Sequence, residues 1–156
     1  MPAQKLRAFL DQHEIRYITI IHSPAYTAQA IAQTAHISGK ELAKTVILKA
    51  DGRLVMAVLP ATHKVNLDVF KKTIGTASVE IAHERDFMDA FPGCELGAMP
   101  PFGNLWDIPV YVAERLREDE TIAFNAGSHT ELIQMAYDDF ERLVKPTVVR
   151  LTHAVA

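Results

Sequence analysis

The chain has 156 residues, of which 49% are hydrophobic and 22% charged, and a formal net charge of -3. This composition is typical of one globular domain with a full core, spanning residues 1–156. No apolar run is long enough for a membrane-spanning helix, and the N-terminus lacks the hydrophobic segment of a signal peptide. The small negative charge argues against extensive wrapping of a nucleic acid, but it is compatible with docking of one nucleic-acid end.

The N-terminal part of the chain predicts two helices with one strand between them. A helix is expected over residues 2–13 and a β-strand over residues 17–21. Pro24 then stops regular structure. Thr27 is expected to cap an alanine-rich helix over residues 28–35.

The strongest short-range signal is the dipeptide Asp51-Gly52 between two apolar runs, which predicts a two-residue hairpin turn. Counting back from this turn places Lys44 opposite Leu59. Because the strand is apolar on both faces, we expect it to be central in its sheet. A lysine there is costly unless its ammonium finds partners or an open cleft, which makes Lys44 the first candidate site residue. The alternative is a lysine at a strand end that extends to solvent.

The rest of the chain alternates short helices and strands. In chain order, the pattern predicts a helix from Asn66 to Thr73, a strand over residues 78–82, a helix over 83–91, strands over 108–113, 121–125 and 130–135, a helix over 136–144 and an edge strand over 148–151. Because strands outnumber helices and include hairpins, the predicted fold class is α+β, with a mixed or antiparallel sheet and helices packed around it.

Three further segments depart from a plain core-and-surface pattern. Gly97 to Pro101 combines glycine with two stiff prolines, and such a loop can direct backbone N–H groups toward an anion or an oxyanion. Gly127 to His129 is a small-residue turn that delivers a histidine to a strand start. His22, Tyr26 and Thr27 surround a proline before a predicted helix. Each segment also has a structural explanation: a rigid surface turn, a structural histidine and a helix cap.

Several familiar chemistries lack their sequence signatures. There is no Walker-type glycine loop and no dinucleotide-binding fingerprint. The seven histidines lack the HExxH spacing, and the single cysteine, Cys94, cannot build a zinc thiolate site. We therefore expect neither a metal nor a cofactor. A single cysteine also excludes an intrachain disulfide and is consistent with a reducing, cytoplasmic compartment.

Four segments together resemble the YbaK/prolyl-tRNA-synthetase editing-domain superfamily in its free-standing form. They are His22-Ser-Pro-Ala-Tyr-Thr, Ala43-Lys44-Thr-Val-Ile-Leu, Gly97-Ala-Met-Pro-Pro-Phe-Gly103 and Asn125-Ala-Gly-Ser-His129. Their order and spacing extend the resemblance over nearly the whole chain. The resemblance implies a barrel-like, mostly antiparallel sheet surrounded by helices. It also implies trans-editing, the hydrolysis of the ester that joins a wrong amino acid to the 3′ end of a tRNA.

The resemblance also implies roles for individual residues. Lys44 matches the lysine that the family requires for activity, and His129 matches a histidine that lines the aminoacyl pocket of related alanine-specific deacylases. The glycine-proline loop would bind the terminal adenosine and offer backbone N–H groups to the ester carbonyl. The implied catalytic residues are Lys44, Gly97 and Ala98, and the implied substrate-binding residues are His22, Tyr26, Thr27, Met99, Pro100, Pro101, Gly127, Ser128 and His129.

The implied partner is the acceptor end of an aminoacyl-tRNA, with an aminoacyl-tRNA synthetase as a second candidate partner. A local basic patch would suffice for this contact, and its candidate members are Lys40, Lys44, Lys64, Lys71 and Lys72. Two other functions stay open: a non-catalytic module that binds tRNA or a synthetase, and a small-molecule ester hydrolase that uses the same cleft. Alanine, serine and threonine are all candidates for the amino acid removed, and the sequence leaves the oligomeric state open.

Overall fold

The structure is a computed structural model, and it describes residues 4–22, 41–87, 89–91, 94–95 and 97–149. The elements in chain order are α1 (Gln4–Gln12), β1 (Tyr17–Ile21), β2 (Ala43–Ala50), β3 (Arg53–Pro60), α2 (Leu67–Ile74), β4 (Val79–Ile81), α3 (Glu84–Phe87), the 3-10 helix η1 (Gly103–Trp106), β5 (Val110–Ala113), the 3-10 helix η2 (Glu114–Glu118), β6 (Thr121–Asn125), β7 (Glu131–Ala136), α4 (Tyr137–Val144) and β8 (Thr147–Val149). The helix expected over residues 28–35 lies outside the described residues, as do Tyr26 and Thr27.

The strands form two sheets that do not close into a barrel. One sheet is antiparallel, with the strand order β1-β7-β6. The other has the order β4-β2-β3-β5-β8, in which β2 pairs antiparallel with β3 and β4, while β5 pairs parallel with β3 and β8. An isolated parallel bridge between Leu42 and Ala123 connects the sheets. The predicted α+β class is confirmed, and the mostly antiparallel strands lie in two open sheets rather than a closed barrel.

The predicted hairpin is confirmed in both its turn and its register. Asp51 and Gly52 have φ values of 51° and 81°, the two positive angles that a type I′ turn requires. Lys44 pairs with Leu59, as counting back from the turn predicts. The Asp51 carboxylate also accepts hydrogen bonds from the N–H groups of Ala77 and Ser78, at 3.0 and 2.9 Å. This side chain ties the hairpin turn to the start of β4.

The five-stranded sheet is covered on both faces, which explains the nearly continuous apolar sequence of β3. Met56 and Val58 belong to the core that lies against the three-stranded sheet, α1 and α4. Ala57 and Leu59 face a second core that α2 covers with the buried Phe70. A strand that is buried on both faces loses the alternation of polar and apolar residues.

Some predicted elements have different limits in the structure. The helix expected over residues 83–91 is a single turn, α3, because the chain then turns so that Phe87 and Phe91 both enter the core with their ring centroids 6.4 Å apart. The strand expected to begin at Ile108 begins at Val110. The edge strand expected over 148–151 is β8, of which residues 150 and 151 lie outside the described part.

Gly103 is a position where packing demands glycine. A Cβ atom added there would collide with the carbonyl oxygen of Ile108, which is backbone and cannot rotate away. We predict that Gly103→Ala lowers the free energy of unfolding by about 3 kcal/mol, the upper part of the usual range for overpacking. Urea denaturation would measure this change.

Gly75→Ala is the matched control for Gly103→Ala. An added Cβ at Gly75 meets nothing within 4 Å, and only its φ of 72° is unfavourable for alanine. That conformation should cost about 1–2 kcal/mol. Equal losses of stability in the two variants would show that the contact with Ile108 is not what limits residue 103.

Candidate active site

Two predicted site segments meet at one end of the three-stranded sheet. The Gly127 N–H donates a hydrogen bond to the Ala98 carbonyl at 2.9 Å, and the Glu95 N–H donates to the Gly127 carbonyl at 2.7 Å. Gly127 has a φ of 93°, a left-handed conformation that favours glycine. The glycine-proline loop and the Gly-Ser-His turn are therefore joined by backbone hydrogen bonds.

The His129 imidazole lies between Gly97 and Glu95. A Cβ atom on Gly97 would stand 3.5 Å from His129 Cε1, so the ring lies directly against this glycine. Glu95 Oε2 accepts a hydrogen bond from the backbone N–H of His129 at 3.3 Å. The same oxygen lies 3.9 Å from the ring atom Nε2 of His129. His22 reaches the same turn, because its N–H donates to the Thr130 carbonyl at 2.9 Å. The predicted His22, Gly97 and His129 thus share one end of the fold.

Most of the loop is buried rather than exposed. Ala98, Met99, Pro100 and Pro101 are all buried, and Met99 belongs to the core. Ser128 is buried too, with its hydroxyl 3.2 Å from that of Thr130. A rigid surface turn would instead be exposed. These buried residues form the floor of the site, while Gly97 is exposed.

The two N–H groups that the resemblance assigns to oxyanion binding differ in their present partners. The Ala98 N–H donates to the Glu95 carbonyl at 3.1 Å, inside a tight turn. The Gly97 N–H donates to the Met99 thioether sulfur at 3.2 Å. A thioether is a weak acceptor, so a substrate oxygen can replace it at little cost. Gly97 is therefore the more accessible of the two donors.

Lys44 is a half-buried cation on β2. It takes part in none of the ion pairs formed among the described residues. Burial lowers the pKa of its ammonium, and the nearby charge of Lys64 lowers it further. An ammonium in this environment is less stable than one in water, because burial removes hydration that no carboxylate among the described residues replaces.

The bridge between the sheets relates Lys44 to the Gly-Ser-His turn. Counted from the Leu42–Ala123 bridge, Lys44 and Asn125 are each two residues further along their parallel strands. Asn125 ends β6, two residues before Gly127. Its buried side-chain oxygen accepts no hydrogen bond from the described residues. The bridge thus brings the start of β2, with Lys44, toward the sheet end that carries the turn.

Sequence reasoning missed two basic residues that follow β3 and β5 at the end of the sheet where Lys44 lies. Burial lowers the pKa of the His63 imidazole, and the charges of Arg115 and Lys44 lower it further. His63 lies in the segment that follows β3, and Arg115 lies in η2 directly after β5. No local signal unites them, because their proximity depends on the parallel pairing of β3 with β5.

Other chemistries receive no support from the part of the chain that the structure describes. There, no group of three or more His, Cys, Asp or Glu side chains could hold a metal ion. Burial raises the pKa of the Cys94 thiol, which disfavours the thiolate that a nucleophile would need. Among the described residues, no helix is long and apolar enough to cross a membrane. A cleft of about 440 Å³ beside Asn104 and Lys145 contains none of the predicted site residues.

Comparison with known proteins identifies the family. The family model described as the aminoacyl-tRNA editing domain matches residues 22–143. The chain belongs to this family. The editing-domain match begins directly after β1, ends within α4 and includes every predicted site residue, and it confirms the resemblance found in the sequence.

Individual relatives of this editing domain agree with the family match. The chain is 28% identical over 153 residues to the multifunctional Ser/Thr-tRNA deacylase ProXp-y of Escherichia coli, covering 94% of this chain and 90% of that protein. It is 26% identical over 122 residues to a proline–tRNA ligase of Bacillus subtilis, covering 76% of this chain and 22% of the ligase. A solved structure of a candidate trans-editing enzyme for prolyl-tRNA synthetase superposes with a TM-score of 0.83 at 15% identity, covering 97% of each chain. This last likeness confirms the fold.

We predict that Lys44→Met stabilises the editing domain at neutral pH, because it removes a half-buried cation that forms no ion pair with the residues the structure describes. The gain should be about 0.5–2 kcal/mol, the usual size of a single stabilising substitution. The folded protein binds fewer protons than the unfolded chain between the lowered pKa of Lys44 and its ordinary value, so wild-type stability rises with pH there. The advantage of the variant should therefore shrink at alkaline pH, as urea denaturation at several pH values would measure.

Lys49→Met on the same strand is the control, because the Lys49 ammonium lies 3.5 Å from the Asp86 carboxylate. Its loss should leave stability unchanged or reduce it by up to about 1 kcal/mol. If Lys44→Met destabilised the protein as much as this control, the cost assigned to Lys44 would be refuted.

Proposed function

We propose that this chain is a trans-editing hydrolase, which cleaves the ester bond of mischarged aminoacyl-tRNA. Water adds to the ester carbonyl, and the bond to the ribose oxygen breaks, giving the free amino acid and a tRNA with a free 3′ hydroxyl. The observation that carries the proposal is the match of residues 22–143 to the aminoacyl-tRNA editing domain. The near full-length similarity to a Ser/Thr-tRNA deacylase supports the same reaction.

The catalytic groups of this reaction are a backbone donor and a cation, without a side-chain nucleophile. The Gly97 N–H exchanges the Met99 sulfur for the carbonyl oxygen of the ester and stabilises the negative charge that develops there. One well-placed donor of this kind contributes about 100–1000-fold. An aminoacyl ester is already reactive, so positioning and oxyanion stabilisation suffice. A hydroxyl of the terminal ribose assists the attacking water.

Lys44 holds the substrate as a cation, through its phosphate or its ester carbonyl. Substrate binding provides the negative or polar oxygen that Lys44 lacks among the described residues. His129, against Gly97, shapes the pocket for the amino acid and does not need to act as a base. Glu95, whose carboxylate lies beside His129, adds a negative charge near the position of the substrate's α-ammonium group.

The amino acid removed is a small one. Serine and threonine are the first candidates, because the E. coli relative carries them in its name, and alanine is the third. One methylene in a pocket is worth only about 1–3 kcal/mol of discrimination, so activity on more than one of them is expected. The acceptor end of the tRNA is the essential contact, an aminoacyl-tRNA synthetase is a second candidate partner, and a tRNA substrate is consistent with the cytoplasm.

The direct test is deacylation of a panel of tRNAs charged with serine, threonine, alanine, cysteine and proline. Wild type should release the small amino acids, and Lys44→Ala should lower kcat/KM at least 100-fold, about 2.7 kcal/mol of transition-state stabilisation. Lys49→Ala, on the same strand, should retain activity within about threefold, because a weak surface-type ion pair is all that it loses.

Other outcomes of the panel point to the competing functions. Binding of the charged tRNAs without hydrolysis would indicate a recognition module. Equal hydrolysis of an aminoacyl ester that lacks the tRNA would indicate a small-molecule hydrolase. Unchanged turnover in Lys44→Ala would remove Lys44 from the mechanism.

A further inference from the structure

Four basic side chains gather at one edge of the five-stranded sheet. We name Lys44, His63, Lys64 and Arg115 the basic cluster. Strands β3 and β5 run parallel, with Val58 beside Val112, so both carboxyl ends point to the same edge. Residues 61–64 follow β3 directly, and η2 follows β5 directly. Lys44 pairs with Leu59, close to that end of β3.

This edge is a favourable place for a ligand. Loops that follow the carboxyl ends of parallel strands converge there and commonly form binding sites. The His63 N–H donates to the Pro60 carbonyl at 2.9 Å, which turns the chain immediately after β3 and holds residues 63 and 64 near the strand end. Arg115, in the first turn of η2, comes two residues after the end of β5.

Lys44, Lys64 and Arg115 give the cluster its positive charge, because the lowered pKa of His63 disfavours its protonated form. Besides burial, the charge of Lys64 lowers the pKa of Lys44. The charges of Arg115 and Lys44 likewise lower the pKa of His63, after burial. Glu118 pairs with Arg115 at 3.0 Å, but both side chains are more than half exposed, so this pair is weak. Glu114 on the same helix is exposed as well. Like charges held together at a partly buried edge are relieved when an anion binds.

We propose that the basic cluster binds the phosphodiester groups of the single strand that leads to the scissile ester. The inference rests on the proposed function and gives the substrate a direction across the surface. The amino acid lies near His129, the terminal ribose lies near Lys44, and the preceding phosphates extend toward His63 and Arg115. A guanidinium suits this role because its planar donors match two phosphate oxygens at once.

The chain itself contains a matched pair of arginines for the test. Arg115 and Arg142 both pair with a carboxylate three residues away, at 3.0 and 2.9 Å, and both are more than half exposed. Arg142 lies on α4, outside the basic cluster. The substitutions Arg115→Gln and Arg142→Gln therefore remove the same charge and a similar ion pair, and neither should disturb folding.

The first experiment measures binding of an uncharged single-stranded oligonucleotide ending in CCA, by fluorescence polarisation at several salt concentrations. Arg115→Gln should weaken binding about 5- to 10-fold. The slope of the logarithm of the binding constant against the logarithm of the salt concentration should fall in magnitude by about 0.7, the value for one phosphate contact on a single strand. Arg142→Gln should match wild type within twofold. His63→Gln should weaken binding in the same direction as Arg115→Gln. Equal effects of the two arginine variants, or no effect of either, would overturn the proposal.

A second experiment separates the strand from smaller anions and from the catalytic step. Arg115→Gln should raise KM for aminoacyl-tRNA about 5- to 10-fold with kcat within twofold, and it should leave hydrolysis of an aminoacyl-adenosine without phosphates unchanged. Equal loss on the phosphate-free substrate would refute phosphate binding. If AMP or inorganic phosphate bound as tightly as the oligonucleotide, with the same dependence on Arg115, the strand-tracking role would be refuted.

The proposed function and the basic cluster can fail separately. Cluster-dependent binding of the oligonucleotide by a protein that deacylates nothing would refute only the function. Deacylation with an unchanged KM and salt slope in Arg115→Gln would refute only the cluster.

Discussion

The half-buried charge of Lys44 is the constraint on which the rest of the site depends. An ammonium that pairs with no carboxylate of the described residues opposes folding, so the surrounding structure must hold it in place. The Asp51-Gly52 turn does this by fixing the register of β2 against β3. A slip of one residue would turn Lys44 toward the face of Ala43 and Ile47, which lie in the main core. The stability of the hairpin therefore opposes a slipped register that would bury the charge more deeply.

The second requirement is a backbone donor that is positioned but not strongly committed. Hydrogen bonds between the loop and the Gly127 turn fix the backbone around Gly97. The Gly97 N–H donates to the thioether sulfur of Met99, a weak acceptor that a substrate oxygen can replace. The buried floor of Ala98 and Met99 keeps this geometry rigid. Lys44 and Gly97 thus share one property, since each has an interaction that a substrate oxygen would improve.

The parts of the fold that follow from local chemistry could be predicted from the sequence. The Asp51-Gly52 turn gave the hairpin and the partner of Lys44, and the apolar character of both faces of β2 predicted a covered sheet. Parallel pairing of β3 with β5 carries no local signal, because the two strands are far apart along the chain. The meeting of His63 with Arg115 depends on that pairing, so neither residue was recognised. The different hydrogen-bond acceptors of the Gly97 and Ala98 N–H groups could not be predicted either, because they depend on the turn at Glu95.

The most direct test of the central claim is the pKa of the Lys44 ammonium, measured by NMR on ¹⁵N-lysine-labelled protein. The measurement is made with and without a non-hydrolysable analogue of 3′-aminoacyl-adenosine 5′-phosphate, in which an amide replaces the ester. Lys44 would be assigned with the Lys44→Met variant. The account predicts a pKa below that of the exposed lysines in the free protein, and a rise when the analogue supplies an anion. An ordinary pKa that does not change when the analogue binds would contradict the account.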